Sequence, residues 1–401
     1  MNAAIPVRLG PAELSLIEQL QAVGASAAAE RLAAIGLPTR KVEAYHYTDL
    51  KQLWRAVPPL AAPAAEPGTP PVDIADSFRL TFVNGGFYLP EVLPDGISAH
   101  AVAGSPLSER DDVLVRINKS LVRETLALQF GPEAKGVVHV DRRSEGQAGH
   151  AAGGLRVFVA DGANVTIVET YATSAAAHAT NHATLLQVGQ GANVTHVTID
   201  LSDAQASHFA IHEYHLGADA TLRSLAVHAG SGLARTNILA RMEGAGADGE
   251  FTGLNLLADG QHSDMSLEVV HAVPGTGSKP LYKQIGRGRS RAVFQGKIVV
   301  DRDAQKTDAK MSMQGLMLSD QAEILSKPEL EIYADDVVCG HGSTCGALDE
   351  TALFYLMSRG IPKRDAETML VRAFLAAVIH PIEPEAVRDV LTSVVEGWLA
   401  G

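Results

Sequence analysis

The chain has 401 residues, of which 46% are hydrophobic and 20% charged, which is the composition of a soluble, folded protein. Its length allows one large core with appendages or about two to three domains. The formal net charge of −13 argues against nucleic acid as a partner, because phosphate backbones are held mainly by lysine and arginine. The two cysteines are too few for the disulfide framework of a small secreted protein.

The sequence shows no usual signal for export or membrane insertion. The first ten residues contain Pro6 and Arg8 and no apolar stretch before a small-residue cleavage site. No run of about eighteen apolar residues occurs, so no membrane span is expected. We therefore expect reduced thiols and a cytoplasmic location.

Two segments precede the first predicted strand. Residues 1–55 are predicted to be a helical N-terminal region, in which apolar residues at three-residue steps indicate one helix from Pro11 to Ile35. Residues 56–71 are predicted to be an extended linker, because prolines are concentrated there. These prolines are Pro58, Pro59, Pro63, Pro67, Pro70 and Pro71.

A mixed α/β segment is predicted for residues 72–150. Phe78 to Val83 is typical of a strand, and Asn84-Gly85-Gly86 after it is typical of a tight turn. Val113 to Phe130 is predicted to be helical and to end before Gly131-Pro132.

A weak internal repeat marks residues 151–347. The sequence Gly-Ala-Asn-Val-Thr at 162–166 returns at 191–195, then as Gly-Ala-Asp-Ala-Thr at 217–221 and as Gly-Ala-Asp at 246–248. The spacings of 29, 26 and 29 residues are typical of a solenoid, in which each unit buries its face against its neighbours.

Two solenoids have this period, a leucine-rich horseshoe and a parallel β-helix. The horseshoe requires a repeated ladder of leucine and asparagine, which the sequence does not show. A β-helix requires apolar residues at alternate, inward positions and Gly, Asn or Asp at the corners. Val165, Ile167, Leu222 and Phe251 fit those inward positions. We therefore predict a parallel β-helix core for residues 151–347.

The C-terminal region, residues 348–401, is predicted to contain three helices. The first runs from Asp349 to Ser358, the second is opened by Pro362, and the third starts at Glu385. Their apolar stripes exceed what three helices can bury against one another. Either a partner protein or the end of the β-helix must cover the remainder.

The sharpest local motif is Cys339-Gly340-His341-Gly342. On a strand, Cys339 and His341 are two residues apart and face the same side. Thiolate and imidazole are ligands that soft and borderline metals prefer, including the irons of iron–sulfur clusters. Two or three ligands leave a four-ligand site incomplete, so a bound metal would be held weakly or with ligands from a second subunit. The alternative is a buried thiol beside a hydrogen-bonded histidine.

Seven histidines are concentrated between positions 178 and 228. On a strand, His208 and His212 share a face while His215 points away, so the spacing predicts no metal-binding triad, although neighbouring turns of a β-helix can bring a pair together. We expect solvated surface positions for them. The seven are His178, His182, His196, His208, His212, His215 and His228.

Arg287, Arg289 and Arg291 are predicted to lie on one face of a strand, where they would either be solvated or bind an anion or an acidic partner. Recognisable catalytic motifs are missing from the sequence: it has no phosphate-binding glycine loop, no dinucleotide fingerprint and no nucleophile elbow. It therefore does not predict a self-contained active site.

From Arg289 to Thr351, the order of segments resembles the core signature of the SufB/SufD family, the paired subunits of the Suf iron–sulfur assembly machine. Matches near the N-terminus at 36–50 and 82–87 resemble the SufD branch of the family. His341 also resembles that branch, because SufB carries a glutamate at this position. Ala322 stands where SufB has its cluster-building cysteine. The core matches lie at 296–300, 305–309, 318–320, 322–324, 327–337, 339–342, 353–355 and 358–361.

The resemblance implies a right-handed parallel β-helix between helical N- and C-terminal regions. It further implies a non-catalytic scaffold subunit that pairs with SufB at the ends of the β-helices and binds the SufC ATPase through the C-terminal helices. Cys339 and His341 would then bind a transient iron–sulfur cluster shared with SufB. The isolated chain is not expected to hold this cluster, and an open β-helix edge would allow it to form a homodimer.

Some positions depart from the family pattern, and other functions remain open. Lys310-Met311-Ser312-Met313 stands where relatives often carry Gln and Asn, and Cys345 has no counterpart in the pattern. The alternative function is a β-helix polysaccharide-active enzyme, which predicts a secretion signal and stacked acidic residues in a groove. A metal-storage protein would instead bind iron tightly as an isolated chain.

Overall fold

The computed structural model describes residues 8–62 and 69–401, which form a long two-sheet solenoid with helices on its outer faces. The helices are α1 (Pro11–Ala22), α2 (Ser26–Ile35), α3 (Leu50–Leu53), α4 (Val113–Leu121), α5 (Glu350–Ser358), α6 (Lys363–Ile379) and α7 (Glu385–Ala400), with a 3₁₀ turn at Glu43–Tyr45. The strands are β1 (Ser77–Val83), β2 (Gly86–Tyr88), β3 (Ile97–Ala103), β4 (Glu124–Phe130), β5 (Val137–Ser144), β6 (His150–Val159), β7 (Asn164–Thr173), β8 (Ala179–Val188), β9 (Asn193–Asp200), β10 (Ser207–Leu216), β11 (Thr221–His228), β12 (Leu233–Met242), β13 (Asp248–Leu257), β14 (His262–His271), β15 (Gly277–Ser278), β16 (Leu281–Gly286), β17 (Arg291–Val300), β18 (Asp308–Met317), β19 (Glu323–Ile332) and β20 (Val338–Gly346).

The chain alternates between the two sheets, and this confirms the predicted parallel β-helix. The first sheet follows the order β2-β1-β5-β7-β9-β11-β13-β16-β18, with β20 beside β18, and the second follows β3-β4-β6-β8-β10-β12-β14-β17-β19. Pairing is parallel except for β1–β2 and β3–β4 at the N-terminal end. Parallel pairing also includes strands before residue 151, because β5 pairs with β7 and β4 pairs with β6.

The repeated glycines lie at corners, as the repeat predicts. Gly162, Gly191 and Gly246 have φ angles of 70°, 62° and 75°, a left-handed conformation that glycine adopts without the steric cost of a Cβ. In the third unit this position belongs to Asp219, with φ 54°, and not to Gly217 as the repeat predicts, because Asn193 pairs with Thr221. The corners set the register between coils, so that Val165 pairs with Val194 and both side chains point into the apolar core.

The N-terminal helices cover the outer face of the second sheet. Leu16, Trp54 and Leu114 pack with Phe209 and other residues of that face in one buried cluster. The Trp54 and Phe209 rings meet edge to face with centroids 4.6 Å apart. Burial of a large apolar side chain contributes about 1.5–3 kcal/mol, so this layer fixes the helices to the β-helix.

Three predicted boundaries in the N-terminal part differ from the structure. The predicted helix Pro11–Ile35 is two helices, because Gly24 adopts a φ of 82° between them. The predicted helix Val113–Phe130 ends at Leu121, and its second half is strand β4, which is paired on both sides. Part of the predicted linker is bound to the β-helix, since Leu60 bridges to His150. Pro63 and Pro67 of that linker, and Pro6, lie outside the described residues.

The predicted three C-terminal helices are confirmed, and two of them cover the outer face of the first sheet. Val371 and Leu375 of α6 and Val387 and Leu391 of α7 are buried against apolar residues of that face, such as Leu254. Helix α5, in contrast, has no buried residue. Among the helices of the described ranges, none is long and apolar enough to cross a membrane.

Candidate functional site

The C-terminal end of the β-helix is open. Within the described ranges, β19 hydrogen-bonds only to β17 and β20 only to β18, so both strands present a free backbone edge. Free edges of this kind pair readily with another chain unless they are covered. Large apolar side chains lie beside them: Ile332 is 40%, Tyr333 61% and Val338 59% exposed.

Cys339 and His341 both lie on β20, at this open end. Their register partners on β18 are Ala309 and Met311, which are buried in the apolar interior, so the alternation of the strand directs Cys339 and His341 towards the same interior. Because no further coil covers them, Cys339 is half-buried against the core and His341 is exposed. The predicted strand is therefore present, and both side chains can be reached from the end.

Both thiols at this end are free, and each has a raised pKa, which favours the protonated form. Partial burial raises the pKa of the Cys339 thiol above its ordinary 9.0, against a smaller opposing effect of the Ala309 backbone. Burial also raises the pKa of Cys345. Cys345 lies further along the same face of β20 and pairs with Gly315 of β18. A Cβ added to Gly315 would lie 3.2 Å from the Sγ of Cys345.

Six of the seven clustered histidines are buried inside the β-helix, so the prediction of solvated surface histidines is wrong for all but His215. Five of the six occupy inward positions of the strands, whereas His178 lies just before β8, and the interior at that level is polar. Burial is compensated by polar partners: His208 Nδ1 lies 2.8 Å from Thr180 Oγ1, and His228 Nε2 lies 2.8 Å from Thr236 Oγ1. The structure also brings Glu169, His196 and His212 together, a group that the sequence did not predict.

The predicted arginine strand is a turn. Gly288 has a φ of 56° and separates β16 from β17, so the three arginines do not share a strand face. Arg287 stacks on Trp398 of α7 at 3.9 Å and donates to its carbonyl oxygen at 3.0 Å. Arg289 pairs with Asp259 at 2.9 Å and Arg291 with Glu323 at 2.7 Å. Each arginine thus has a partner within the chain.

A surface cleft of about 560 Å³ lies on the first sheet near the α6–α7 connection. Among the residues that line it, Glu383 is the one acid, together with the cations Lys135 and Arg223. A polysaccharide-cleaving groove would need paired carboxylates for acid and base work. The lining of this cleft offers no such pair.

Comparison with known proteins gives concordant results. The family model described as SUF system FeS cluster assembly, SufBD core domain, matches residues 142–374. The iron–sulfur cluster assembly protein SufD of Escherichia coli is 30% identical over 90% of this chain and 89% of its own length. An iron–sulfur cluster assembly SufBD family protein of Synechocystis is 28% identical over 88% of this chain and 86% of its own length. SufD of Bacillus subtilis is 33% identical over 34% of this chain and 31% of its own length.

The fold and these matches define a class: a parallel β-helix protein of iron–sulfur cluster assembly. The matched domain covers more than half of the chain, including β20 and its Cys-Gly-His-Gly motif. The chain belongs to the SufB/SufD family, of which it is a SufD-type member.

Proposed function

We propose that this chain is a non-catalytic, cytoplasmic scaffold subunit that pairs with SufB through its open β-helix end and binds the SufC ATPase through its C-terminal helical region, residues 348–401. In this assembly Cys339 and His341 supply part of the ligand shell of a nascent iron–sulfur cluster, and SufB supplies the rest. The observation that carries the proposal is the position of both side chains on the last, uncovered strand of the solenoid.

The open end supports pairing with a similar subunit. Backbone donors and acceptors on the free edges of β19 and β20 need partners, and a second β-helix offers strands of the same kind. The exposed Ile332, Tyr333 and Val338 would be buried by the same contact. Without SufB, two copies of this chain can use the same edges to form a homodimer.

The small number of ligands at the open end supports a cluster shared between two chains rather than one held by this chain alone. Cys339 and His341 offer one sulfur and one nitrogen, whereas iron–sulfur clusters are commonly held by four protein ligands. The raised pKa of Cys339 also disfavours its thiolate in the isolated chain. Cluster binding therefore requires a partner that adds ligands and stabilises the thiolate of Cys339.

The test of the shared site uses His341→Ala in cells that depend on the Suf system. We expect the variant to co-purify with SufB and SufC in normal amounts, because His341 is exposed and packs little, but to lower the activity of iron–sulfur enzymes. The measurement combines a pull-down with iron and sulfide analysis of the complex. Ser343→Ala is the matched control, since Ser343 lies two residues along on the same face of β20.

Two results would contradict the proposal. Normal iron–sulfur enzyme activity in His341→Ala would remove this imidazole from the mechanism. A pull-down of the wild-type chain that contains neither SufB nor a SufC-like ATPase would remove the scaffold role itself.

The ATPase contact is assigned to the exposed face of α5. Phe354 is 73% and Tyr355 56% exposed on this helix, which buries no residue of its own. Large apolar residues clustered at a surface favour protein contact. Removing the whole helical region would be a poor test, because α6 and α7 cover the apolar outer face of the first sheet.

A point substitution separates docking from folding. We expect Phe354→Ser to reduce SufC capture at least tenfold, since truncation of an aromatic anchor typically costs about 2 kcal/mol or more at an interface. Phe158→Ser is the matched control, because Phe158 is also exposed (47%) but lies on β6. Equal capture by both variants would move the docking surface away from α5.

A further inference from the structure

A group of three buried side chains inside the β-helix lies outside the open end and is not used by the proposed function. Glu169 of β7, His196 of β9 and His212 of β10 each offer one potential ligand atom, and these atoms lie within 4.8 Å of one another. Glu169 is 0% exposed, and each histidine is 1% exposed. The three residues come from three strands and from both sheets.

Surrounding groups hold two of these three side chains in position. Arg142 Nε donates to Glu169 Oε2 at 2.6 Å, and Thr184 Oγ1 donates to Oε1 at 2.6 Å. His196 Nε2 lies 3.0 Å from Oε1, and its other nitrogen, Nδ1, lies 2.9 Å from the Tyr214 hydroxyl. Metal-bound histidines are usually oriented through their second nitrogen in this way.

His212 shows that the group is incomplete. Neither of its ring nitrogens has a hydrogen-bond partner among the residues that the structure describes, although the ring is almost fully buried. An unpartnered buried polar group costs about 1–3 kcal/mol. A ligand bound among His212, Glu169 and His196 would remove that cost.

We propose that Glu169, His196 and His212 form a binding site for one divalent transition-metal ion of the zinc and ferrous class. Two imidazoles and one carboxylate are a donor set that both ions accept with an open fourth position. The site is separate from the cluster ligands Cys339 and His341, and its ion stabilises the middle of the β-helix.

The protonation states suit cation binding. Burial, with His196 next in effect, lowers the pKa of His212 to about 3, so the ring is neutral and its nitrogen lone pair is available. Burial opposes the ionised form of Glu169, but Arg142 and then His196 outweigh it and hold the pKa of this carboxyl well below its usual value.

The experiment compares the full-length wild type with His212→Phe. Each protein is unfolded in urea with a chelator, refolded with or without Zn²⁺, freed of excess ion, and analysed by elemental mass spectrometry and thermal melting. We expect about one zinc per wild-type chain and a higher Tm with zinc, since an ion that binds the folded state stabilises it. His212→Phe should hold no zinc and show no shift, and its zinc-free form should be at least as stable as the zinc-free wild type, because an unpartnered imidazole is gone.

Cys339→Ser combined with His341→Ala is the control, because it removes the ligands at the open end and should keep the one zinc. The proposal is overturned if the wild type retains no ion after refolding, if His212→Phe keeps it, or if the open-end variant loses it. Should His212→Phe fail to fold, an anomalous diffraction map of the zinc-refolded wild type decides: a peak among Glu169, His196 and His212 supports the site, and a peak elsewhere or none overturns it.

Discussion

The middle and the open end of the β-helix place similar ligand types in opposite surroundings. In the middle, Glu169 and His196 are held by neighbouring side chains on coils above and below. At the end, Cys339 and His341 lie on a strand with one neighbour and a free face. Side chains at the same inward position of a strand are therefore enclosed and fixed within the solenoid, but accessible at its last coil.

The largest difference should appear in stability when a carboxylate is removed from each region. Glu169→Ala leaves the Arg142 guanidinium buried without its partner, and breaking a buried ion pair costs about 3–5 kcal/mol. Glu323→Ala on β19 removes an ion pair with Arg291 in which both side chains are at least 40% exposed, and such pairs contribute about 0–1 kcal/mol. Urea unfolding of both variants measures the contrast. Similar losses would mean that the middle of the solenoid is no more tightly constrained than its end.

A smaller effect is expected from a single hydroxyl. Thr184→Val keeps the shape of the side chain but removes the donor to Glu169 Oε1, and hydrogen bonds to charged groups contribute about 1.5–3 kcal/mol. Ser343→Ala at the exposed end should change the free energy of unfolding by less than about 0.5 kcal/mol. A neutral Thr184→Val variant would show that Glu169 is satisfied by other donors.

Much of this architecture is predictable from the sequence, because the repeat carries geometric information. The Gly162 and Gly191 corners predict the coil length between their units, and the inward direction of Val165 and Ile167 follows from alternation along the strand. The register of the repeat also contains a signal that was not used to predict the buried histidines. His196 pairs with Ile167 in the parallel register, so the repeat already assigns it an inward position.

The remainder of the buried site is not encoded locally. His212 belongs to the second sheet, and its approach to Glu169 depends on how the two sheets face each other across the interior. Similarly, Arg287 looks like part of a basic strand until the positive φ of Gly288 and the stacking on Trp398 are known. These contacts join residues far apart in the sequence, 43 positions for Glu169 and His212 and 111 for Arg287 and Trp398, and neither periodicity nor spacing reveals them.

The pH dependence of thiol reactivity tests whether the open end is already a complete site in the isolated chain. Burial raises the pKa of Cys339 above 9.0, so the reactive thiolate is a minor species at pH 7 and becomes more abundant as the pH rises. The alkylation rate of Cys345→Ser, which retains Cys339 alone, should therefore increase roughly tenfold per pH unit from pH 7 to 9 without levelling off. Cys339→Ser, which retains Cys345, serves as the control, because burial raises the pKa of that thiol too. A rate that levels off below pH 8 would show that a positive charge already stabilises the Cys339 thiolate in the isolated chain, and the end would then be closer to a finished metal site than its geometry indicates.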